Sequence, residues 1–264
     1  MQLTIEGVNL NVTCAGQGTD VVLLHGFPFS HRIWKKQIET LALQWRVIAP
    51  DLRGMGESSA PPGPYLMETL ASDVAGILDA LDVECAAIVG HSMGGYAALA
   101  FFRMFAERVR SLALVCSRPD ADTPQAAADR ADLAERAERE GMQPVIEAYL
   151  PRVLAPDARP DVIATVTQIM RTSSAAGAAA LLRGAALRSS SEDLLDELSL
   201  PVLLVCGSVD TISPPEFNRS LAARLAQATV AVVGGSAHLP MLESPETLSA
   251  ILKEFLSRSG SATA

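Results

Sequence analysis

Short, uninterrupted apolar runs recur along the chain, and they constrain its fold more than any other feature of the sequence. Most are continuous rather than alternating, which is the pattern of parallel strands that are covered on both faces. Thr229–Val233 is a further strand candidate, and Met1–Ile5 and Val8–Val12 predict an antiparallel hairpin at one edge. The continuous runs are Val21–Leu24, Val47–Ala49, Ala86–Val89, Leu112–Val115 and Val202–Cys206.

Helical stretches separate these runs. Alternation of strand and helix predicts an α/β fold in which a mostly parallel, eight-stranded sheet is flanked by helices on both sides. We expect the last residues, Ser257–Ala264, to be frayed. The expected helices cover about 33–43, 65–81, 92–105, 215–225 and 245–256.

The alternation stops between about Arg118 and Leu200, where the sequence contains no strand candidate. A structureless loop of that length is uncommon inside a compact domain. We therefore predict a helical cap over 118–200, inserted after the sixth strand into a core made of 1–117 and 201–264. Gly141 and Gly184 punctuate the segment. Its expected helix starts are Thr123-Pro124, Arg159-Pro160 and Ser191-Glu192.

Charge and composition exclude several classes of function. The net charge of −9 over 264 residues disfavours a nucleic-acid partner and an anionic membrane surface. No uncharged apolar run approaches the ~20 residues of a membrane-spanning helix. The first residues lack a basic segment followed by an apolar one, so we expect no signal peptide and a cytoplasmic location. The four cysteines lack metal-binding spacing, and we expect them to be reduced.

The segment Gly90-His91-Ser92-Met93-Gly94 joins a predicted buried strand to a predicted helix. If the turn is sharp, the serine adopts a strained conformation and projects its hydroxyl from the sheet edge. Side chains at Gly90 and Gly94 would then collide with neighbouring chain. This pattern is typical of a nucleophile elbow, and it predicts Ser92 as a nucleophile.

A serine nucleophile needs a base, and the base needs an orienting carboxylate. Among four histidines, His238 lies in a loop between the last strand and the last helix, at the same sheet end as Ser92. We predict His238 as the base. Asp210 follows a strand end, so we favour it as the carboxylate, and Asp120 and Asp122 stay open as alternatives.

Two backbone amides are expected to form an oxyanion hole. One is Met93, which follows the nucleophile, and the other is Phe27, because Pro28 has no N–H. The loop Asp51–Ser58 is interpreted as structural: its hydrogen bonds would brace the adjacent loops.

Taken together, these motifs resemble the α/β-hydrolase superfamily, over nearly the whole chain outside the cap. Within it the chain looks like the group of carboxylesterases, 3-oxoadipate enol-lactonases and cofactor-free haloperoxidases (perhydrolases). The dehalogenase and epoxide hydrolase relatives carry aspartate where this chain has Ser92, so their chemistry is not expected. The segments that carry the resemblance are His25–Pro28, Asp51–Ser58, Gly90–Gly95, Gly207–Asp210 and His238.

The resemblance implies acyl transfer on a small-molecule ester or lactone. Ser92 would attack the carbonyl, His238 would carry the proton, Asp210 would hold the imidazole, and no metal or organic cofactor would be needed. In the resembling group, perhydrolases tend to carry proline at the place of Pro28. The resemblance therefore also suggests promiscuous perhydrolysis.

We expect the cap to determine substrate specificity. Its many apolar residues predict a largely hydrophobic cleft for uncharged or mildly polar esters. The carboxylates Asp129, Asp132, Glu135 and Glu138 alternate with arginines and are interpreted as a solvated helix face. Candidate lining residues are Leu150, Val153, Leu154, Ile163, Val166, Ile169, Met170, Leu181 and Leu182.

Two other classes of function stay open. An amidase or aminopeptidase would use a carboxylate cluster in the cap to hold a substrate amine. A ligand receptor or signalling partner with this fold would hydrolyse slowly or not at all.

Overall fold

The computed structural model describes residues 1–260, and this part of the chain forms one eight-stranded sheet in the order β1-β2-β4-β3-β5-β6-β7-β8. β1 and β2 form an antiparallel hairpin at one edge, β2 is antiparallel to β4, and the other pairs are parallel. The predicted sheet is therefore confirmed. The strands are β1 (Gln2–Ile5), β2 (Val8–Ala15), β3 (Asp20–Leu24), β4 (Arg46–Pro50), β5 (Ala86–His91), β6 (Val109–Val115), β7 (Val202–Gly207) and β8 (Ala228–Val233).

The central strands are apolar throughout because both faces of the sheet are covered. In β3, Val22 and Leu24 face one hydrophobic cluster, and Val21 and Leu23 face the other. Successive residues of a strand point to opposite faces, so a strand buried on both sides needs apolar residues without alternation.

Ten helices accompany the sheet within residues 1–260, and three short 3-10 turns cover His31–Trp34, Ala106–Arg108 and Glu192–Asp196. The last helix continues to Gly260, so the prediction of a frayed end is wrong for Ser257–Gly260. The rest of that prediction, residues 261–264, lies outside the described part. No helix in the described part is long and apolar enough to cross a membrane. The helices are α1 (Lys35–Leu41), α2 (Met67–Ala80), α3 (Met93–Met104), α4 (Pro124–Glu140), α5 (Gln143–Val153), α6 (Pro160–Arg171), α7 (Ala175–Ala186), α8 (Pro215–Ala222), α9 (Pro240–Glu243) and α10 (Pro245–Gly260).

Four of these helices, α4 to α7, lie between β6 and β7. The two predicted proline starts are confirmed: Thr123 caps α4 by accepting a hydrogen bond from the Ala126 amide (3.2 Å), and Pro160 begins α6. Ser191 precedes only a 3-10 turn. The starts of α5 and α7 were not predicted.

The small residues of α7 let it approach the core closely. Gly184 lies inside α7 and is not a helix end, whereas Gly141 follows α4 with a φ of 78°. A side chain on Gly184 would collide with the carbonyl oxygen of Tyr65, and one on Gly177 would collide with the backbone of Gly54. The backbone of α7 therefore packs directly on the loop that follows β4.

Candidate active site

Ser92 occupies a sharp turn between β5 and α3, with φ 49° and ψ −116°. A Cβ atom at Gly90 would collide with the carbonyl oxygen of Gly94 and lie 2.7 Å from Cα of Gly95. One at Gly94 would lie 2.6 Å from the carbonyl oxygen of His25. The elbow geometry predicted from the glycines is therefore confirmed.

His238 and Asp210 form a buried pair. Nδ1 of His238 lies 2.9 Å from Oδ2 of Asp210, and Oδ1 of Asp210 accepts hydrogen bonds from the amides of Ile212 (2.8 Å) and Ser213 (3.2 Å). Burial alone would raise the pKa of Asp210, but the hydrogen bond and charge of His238 and the two amides outweigh it and lower that pKa. The ionised carboxylate accepts from Nδ1–H, which leaves Nε2 of His238 available for proton transfer.

Ser92 and His238 line one cavity of about 430 Å³. The Ser92 hydroxyl has no hydrogen-bond partner among residues 1–260, His238 included. Such bonds are often long in the absence of substrate and tighten in the complex. The structure thus joins Asp210 and His238 by direct contact, and it places the serine on the same cavity wall.

Asp120 and Asp122, the two alternative carboxylates, are hydrogen-bonded to arginines and not to His238. Asp120 accepts from Nε of Arg118 at 2.7 Å, and Asp122 accepts from Nε of Arg130 at 2.6 Å. Neither has a hydrogen bond to His238, so the geometry favours Asp210.

The amides of Phe27 and Met93 are suited to bind an oxyanion. Both residues line the cavity, and neither amide has a hydrogen-bond acceptor among residues 1–260. Met93 is the first residue of α3, where a helix leaves its N–H groups free. The Phe29 amide donates to the Gly26 carbonyl at 3.0 Å and closes the turn that holds Phe27.

The other three histidines do not line the cavity. His25 is buried, accepts a hydrogen bond from the Leu52 amide at 2.9 Å and has a pKa lowered by burial. His91 donates from Nε2 to the carbonyl oxygen of His238 at 2.9 Å, and burial holds its pKa well below the usual value. His91 therefore helps to place the backbone of His238, a contact that no sequence pattern announces.

Asp51 organises the loop after β4. Its carboxylate accepts hydrogen bonds from the amide and Nδ1 of His31 (2.7 Å each), Nδ2 of Asn11 (2.9 Å) and the Glu57 amide (2.9 Å). The Ser58 hydroxyl donates to the Asp51 carbonyl at 2.6 Å. The hydrogen-bonded bracing predicted for this loop is confirmed.

A thiol lies beside the pair of His238 and Asp210. Cys116 has a φ of 51° and is buried, and its Sγ lies within 4.8 Å of a carboxylate oxygen of Asp210 and a ring nitrogen of His238. These three groups could hold a metal ion by position alone. Nδ1 of His238 and Oδ2 of Asp210 are, however, already hydrogen-bonded to each other at 2.9 Å.

The cavity wall differs from the expected hydrophobic cleft. None of the nine apolar candidates lines the cavity, because α4 presents a charged face to it and the apolar cap residues pack elsewhere. The four carboxylates interpreted as a solvated helix face are all exposed, although Asp129 and Asp132 also border the cavity. The charged lining residues are Asp129, Arg130, Asp132, Arg136 and Arg152, and the other lining residues from α4 and α5 are Ala126, Leu133, Ala148 and Tyr149.

Comparison with known proteins identifies one matching family model and several relatives of this chain. The family model described as "alpha/beta hydrolase fold" matches residues 20–245. An esterase from Thermogutta terrifontis, solved with malate bound, is 37% identical, covers 98% of both chains and superposes with a TM-score of 0.95. 3-oxoadipate enol-lactonase 2 of Acinetobacter baylyi is 27% identical over 262 residues, 96% of each chain. Epoxide hydrolase 2 of Siraitia grosvenorii is 37% identical over 113 residues, which are 42% of this chain and 36% of that protein.

Proposed function

The chain belongs to the α/β-hydrolase family, and we propose that it is a serine hydrolase that cleaves carboxylic esters or lactones through an acyl-enzyme on Ser92. The observation that carries the proposal is the strained Ser92 on the wall of the cavity that His238 also lines, with Asp210 holding the imidazole. Backbone strain of this kind is often found at active sites, where it holds a side chain in the orientation that the reaction needs.

The reaction follows from this geometry. Oγ of Ser92 attacks the ester carbonyl while Nε2 of His238 takes its proton, and the tetrahedral oxyanion collapses as His238 returns that proton to the leaving alcohol. Water, deprotonated by His238, then attacks the acyl-enzyme. The carboxylic acid leaves, and Ser92 regains its proton.

The oxyanion is stabilised by the amides of Phe27 and Met93. Neither amide donates a hydrogen bond to another group within residues 1–260. Both can therefore bind the carbonyl oxygen with little rearrangement as charge develops on it. The N-terminus of α3 adds a partial positive charge at the same place.

Two relatives support the ester or lactone assignment. The protein from Thermogutta terrifontis is named an esterase, and the one from Acinetobacter baylyi an enol-lactonase. Both names describe attack on an acyl carbon bonded to oxygen, which is the reaction that a serine nucleophile and an oxyanion hole perform.

Replacement of the nucleophile tests the proposal. Ser92→Ala should lower kcat for methyl and p-nitrophenyl esters by roughly three or more orders of magnitude, as loss of a triad serine does elsewhere. Ser189→Ala, an exposed serine outside this cavity, is the control and should retain activity. Equal activity of Ser92→Ala and the wild type would refute the acyl-enzyme.

The same assay separates the other functions. Preferential cleavage of matched amides would support the amidase alternative, for which Asp129 and Asp132 are present at the cavity but exposed. Saturable binding of an ester without turnover would support the ligand receptor.

We also propose promiscuous perhydrolysis, in which hydrogen peroxide replaces water in the attack on the acyl-enzyme and the product is a peracid. Pro28 follows the proposed donor Phe27, and its carbonyl oxygen accepts a hydrogen bond from the Ser173 hydroxyl at 3.3 Å, which holds the loop against the insertion. The peracid-to-acid ratio should fall in Pro28→Leu. An equal ratio in the wild type and Pro28→Leu would show that Pro28 has only a structural role and would contradict its role in perhydrolysis.

A further inference from the structure

Although the chain carries a net charge of −9, three of the five arginines and aspartates that line the active-site cavity are arginines. Three arginines of the helical insertion, Arg130, Arg136 and Arg152, line the cavity together with Ser92 and His238. We call them the cap arginines.

Arg130 belongs to a cluster in which two cations share one anion. Asp122 accepts from Nε of Arg130 at 2.6 Å and from Nη1 of Arg188 at 2.8 Å, and the three side chains are 8%, 21% and 6% exposed. Burial alone would raise the pKa of Asp122, but the two guanidinium groups outweigh it and lower that pKa, so the carboxylate is ionised. One positive charge is left without a buried counter-ion.

This excess charge lies close to the proposed reaction centre. Nη1 of Arg130 donates to the hydroxyl of Tyr149 at 3.2 Å. The ring of Tyr149 packs edge-on against the ring of Phe27, with 5.1 Å between the two ring centroids. Arg188 stacks on the ring of Tyr96, 4.2 Å from its centroid, and Tyr96 also lines the cavity. A single aromatic ring, that of Tyr149, therefore separates Arg130 from the side chain of Phe27, whose amide is a proposed oxyanion donor.

The other two cap arginines, the half-buried Arg136 and the exposed Arg152, have no carboxylate partner among residues 1–260. Two carboxylates, Asp129 and Asp132, line the same cavity, but both are exposed, and Asp129 accepts a hydrogen bond from Nε2 of Gln125 at 2.8 Å. Two charges interact more strongly near or below a protein surface than they do in water. The less hydrated Arg130 should therefore outweigh the exposed carboxylates in the choice of substrate charge.

Building on the proposed hydrolase function, we propose that the preferred substrate is an ester or lactone that itself carries a carboxylate, which the cap arginines bind. A guanidinium suits this ligand because its planar donors match the two carboxylate oxygens. The carboxylate would supply the anion that the cluster of Arg130, Asp122 and Arg188 lacks.

Three methyl esters of similar length test the inference: monomethyl glutarate, methyl hexanoate and the methyl ester of 4-(trimethylammonio)butyrate. They carry a negative, no and a positive charge, and hydrolysis is followed by methanol release. We expect kcat/KM for the glutarate to exceed that for the hexanoate by roughly tenfold, which corresponds to one favourable ionic contact. The preference should shrink as salt is added.

Variants locate the preference on the cap arginines. Arg136→Gln and Arg152→Gln remove no intramolecular ion pair, so they should fold normally and each lower kcat/KM for the glutarate severalfold, mainly through KM, with little change for the hexanoate. Arg130→Gln should have the largest effect. Arg139→Gln, on an exposed part of α4 outside the cavity, is the matched control and should keep the wild-type preference.

Each outcome decides between the claims. Hydrolysis of the neutral or cationic ester at least as fast as the glutarate would overturn the inference and leave the esterase proposal intact. A glutarate preference that survives in Arg130→Gln, Arg136→Gln and Arg152→Gln would also overturn it. Failure of the wild type to hydrolyse any of the three esters would contradict the proposed function and the inference together.

Discussion

At the scale of single residues, backbone strain marks the candidate site. Four non-glycine residues within 1–260 have positive φ, and two of them, Ser92 and Cys116, follow β5 and β6 directly. A non-glycine residue in this conformation carries a cost of order 1–3 kcal/mol, which persists where the surroundings demand it. Ser92 was predictable because glycines flank it. Cys116 was not, because nothing in its neighbourhood signals its conformation.

The proposed triad makes the first prediction at this scale. His238→Ala should lower kcat by roughly three or more orders of magnitude, because the serine would lose its base. Asp210→Asn should cost somewhat less, since it disturbs only the orientation and charge of the imidazole. Steady-state kinetics on one ester measure both.

Asp120→Asn is the matched control for the triad, because Asp120 binds Arg118 instead of His238. It should retain near-wild-type activity. If Asp120→Asn or Asp122→Asn abolished turnover while Asp210→Asn did not, the acid would follow β6 instead of β7.

Asp51 makes a prediction about pH. Burial by itself would raise its pKa, but the hydrogen bonds from His31 and the Glu57 amide and the nearby imidazoles lower it strongly. A carboxyl group whose pKa is lower in the folded state stabilises the protein above its unfolded pKa of about 3.9, and this contribution is lost as the pH falls below that value. Asp51→Asn should therefore be less stable at pH 7 by ~2 kcal/mol or more.

The same variant should also change the acid dependence. Between about pH 4 and pH 2, the free energy of unfolding, measured with urea, should fall less steeply in Asp51→Asn than in the wild type. An unchanged slope would show that other carboxylates control acid unfolding.

At the scale of secondary structure, the strands were more predictable than the helices of the insertion. The eight strand candidates, five of them continuous apolar runs, give eight strands, because apolar continuity in the central strands reflects burial on both faces, a local property of each strand. α7 was not predicted as an element, and Gly184 does not end a helix, because this glycine serves a tertiary contact with Tyr65. Local sequence does not announce such a contact.

Gly184 tests this packing. In an open helix, Gly→Ala stabilises by about 1 kcal/mol. Here the new methyl group collides with the Tyr65 carbonyl, which cannot rotate away like a side chain, and overpacking costs about 1–3 kcal/mol. We expect Gly184→Ala to lower the free energy of unfolding by about 2 kcal/mol.

Gly234→Ala is the control, since a Cβ atom at this position would meet no heavy atom within 4 Å and the φ of Gly234 is outside the left-handed region. It should change stability by less than about 0.5 kcal/mol. Stabilisation by Gly184→Ala would mean that α7 does not pack on the loop as described.

At the scale of the whole molecule, the cavity lies between the carboxyl ends of the strands and the insertion. Sequence reasoning could place Ser92, Asp210 and His238 at this end because each follows a strand. It could not predict the charged wall, since that depends on which face of α4 turns inward. Arg130 and its neighbours have the same helical spacing whether they face water or a cavity.

The insertion should select substrates by size as well as by charge. Ala148 lines the cavity from α5, so Ala148→Phe should narrow it and lower kcat/KM for long-chain esters more than for acetate esters. Ile163→Phe, on the exposed side of α6 and outside the cavity, should leave the chain-length profile unchanged. Identical profiles in Ala148→Phe and the wild type would argue that the core loops, and not the insertion, set substrate size.

The most direct measurement of the central claim is covalent labelling of the nucleophile. A fluorophosphonate should react once per chain, and peptide mass mapping should find the adduct on the peptide that contains Ser92. Labelling and ester hydrolysis should be lost together, and Ser92→Ala should take up no label while it retains its folded circular dichroism spectrum. An adduct on another serine, or a fully active enzyme that takes up no label, would contradict the acyl-enzyme mechanism.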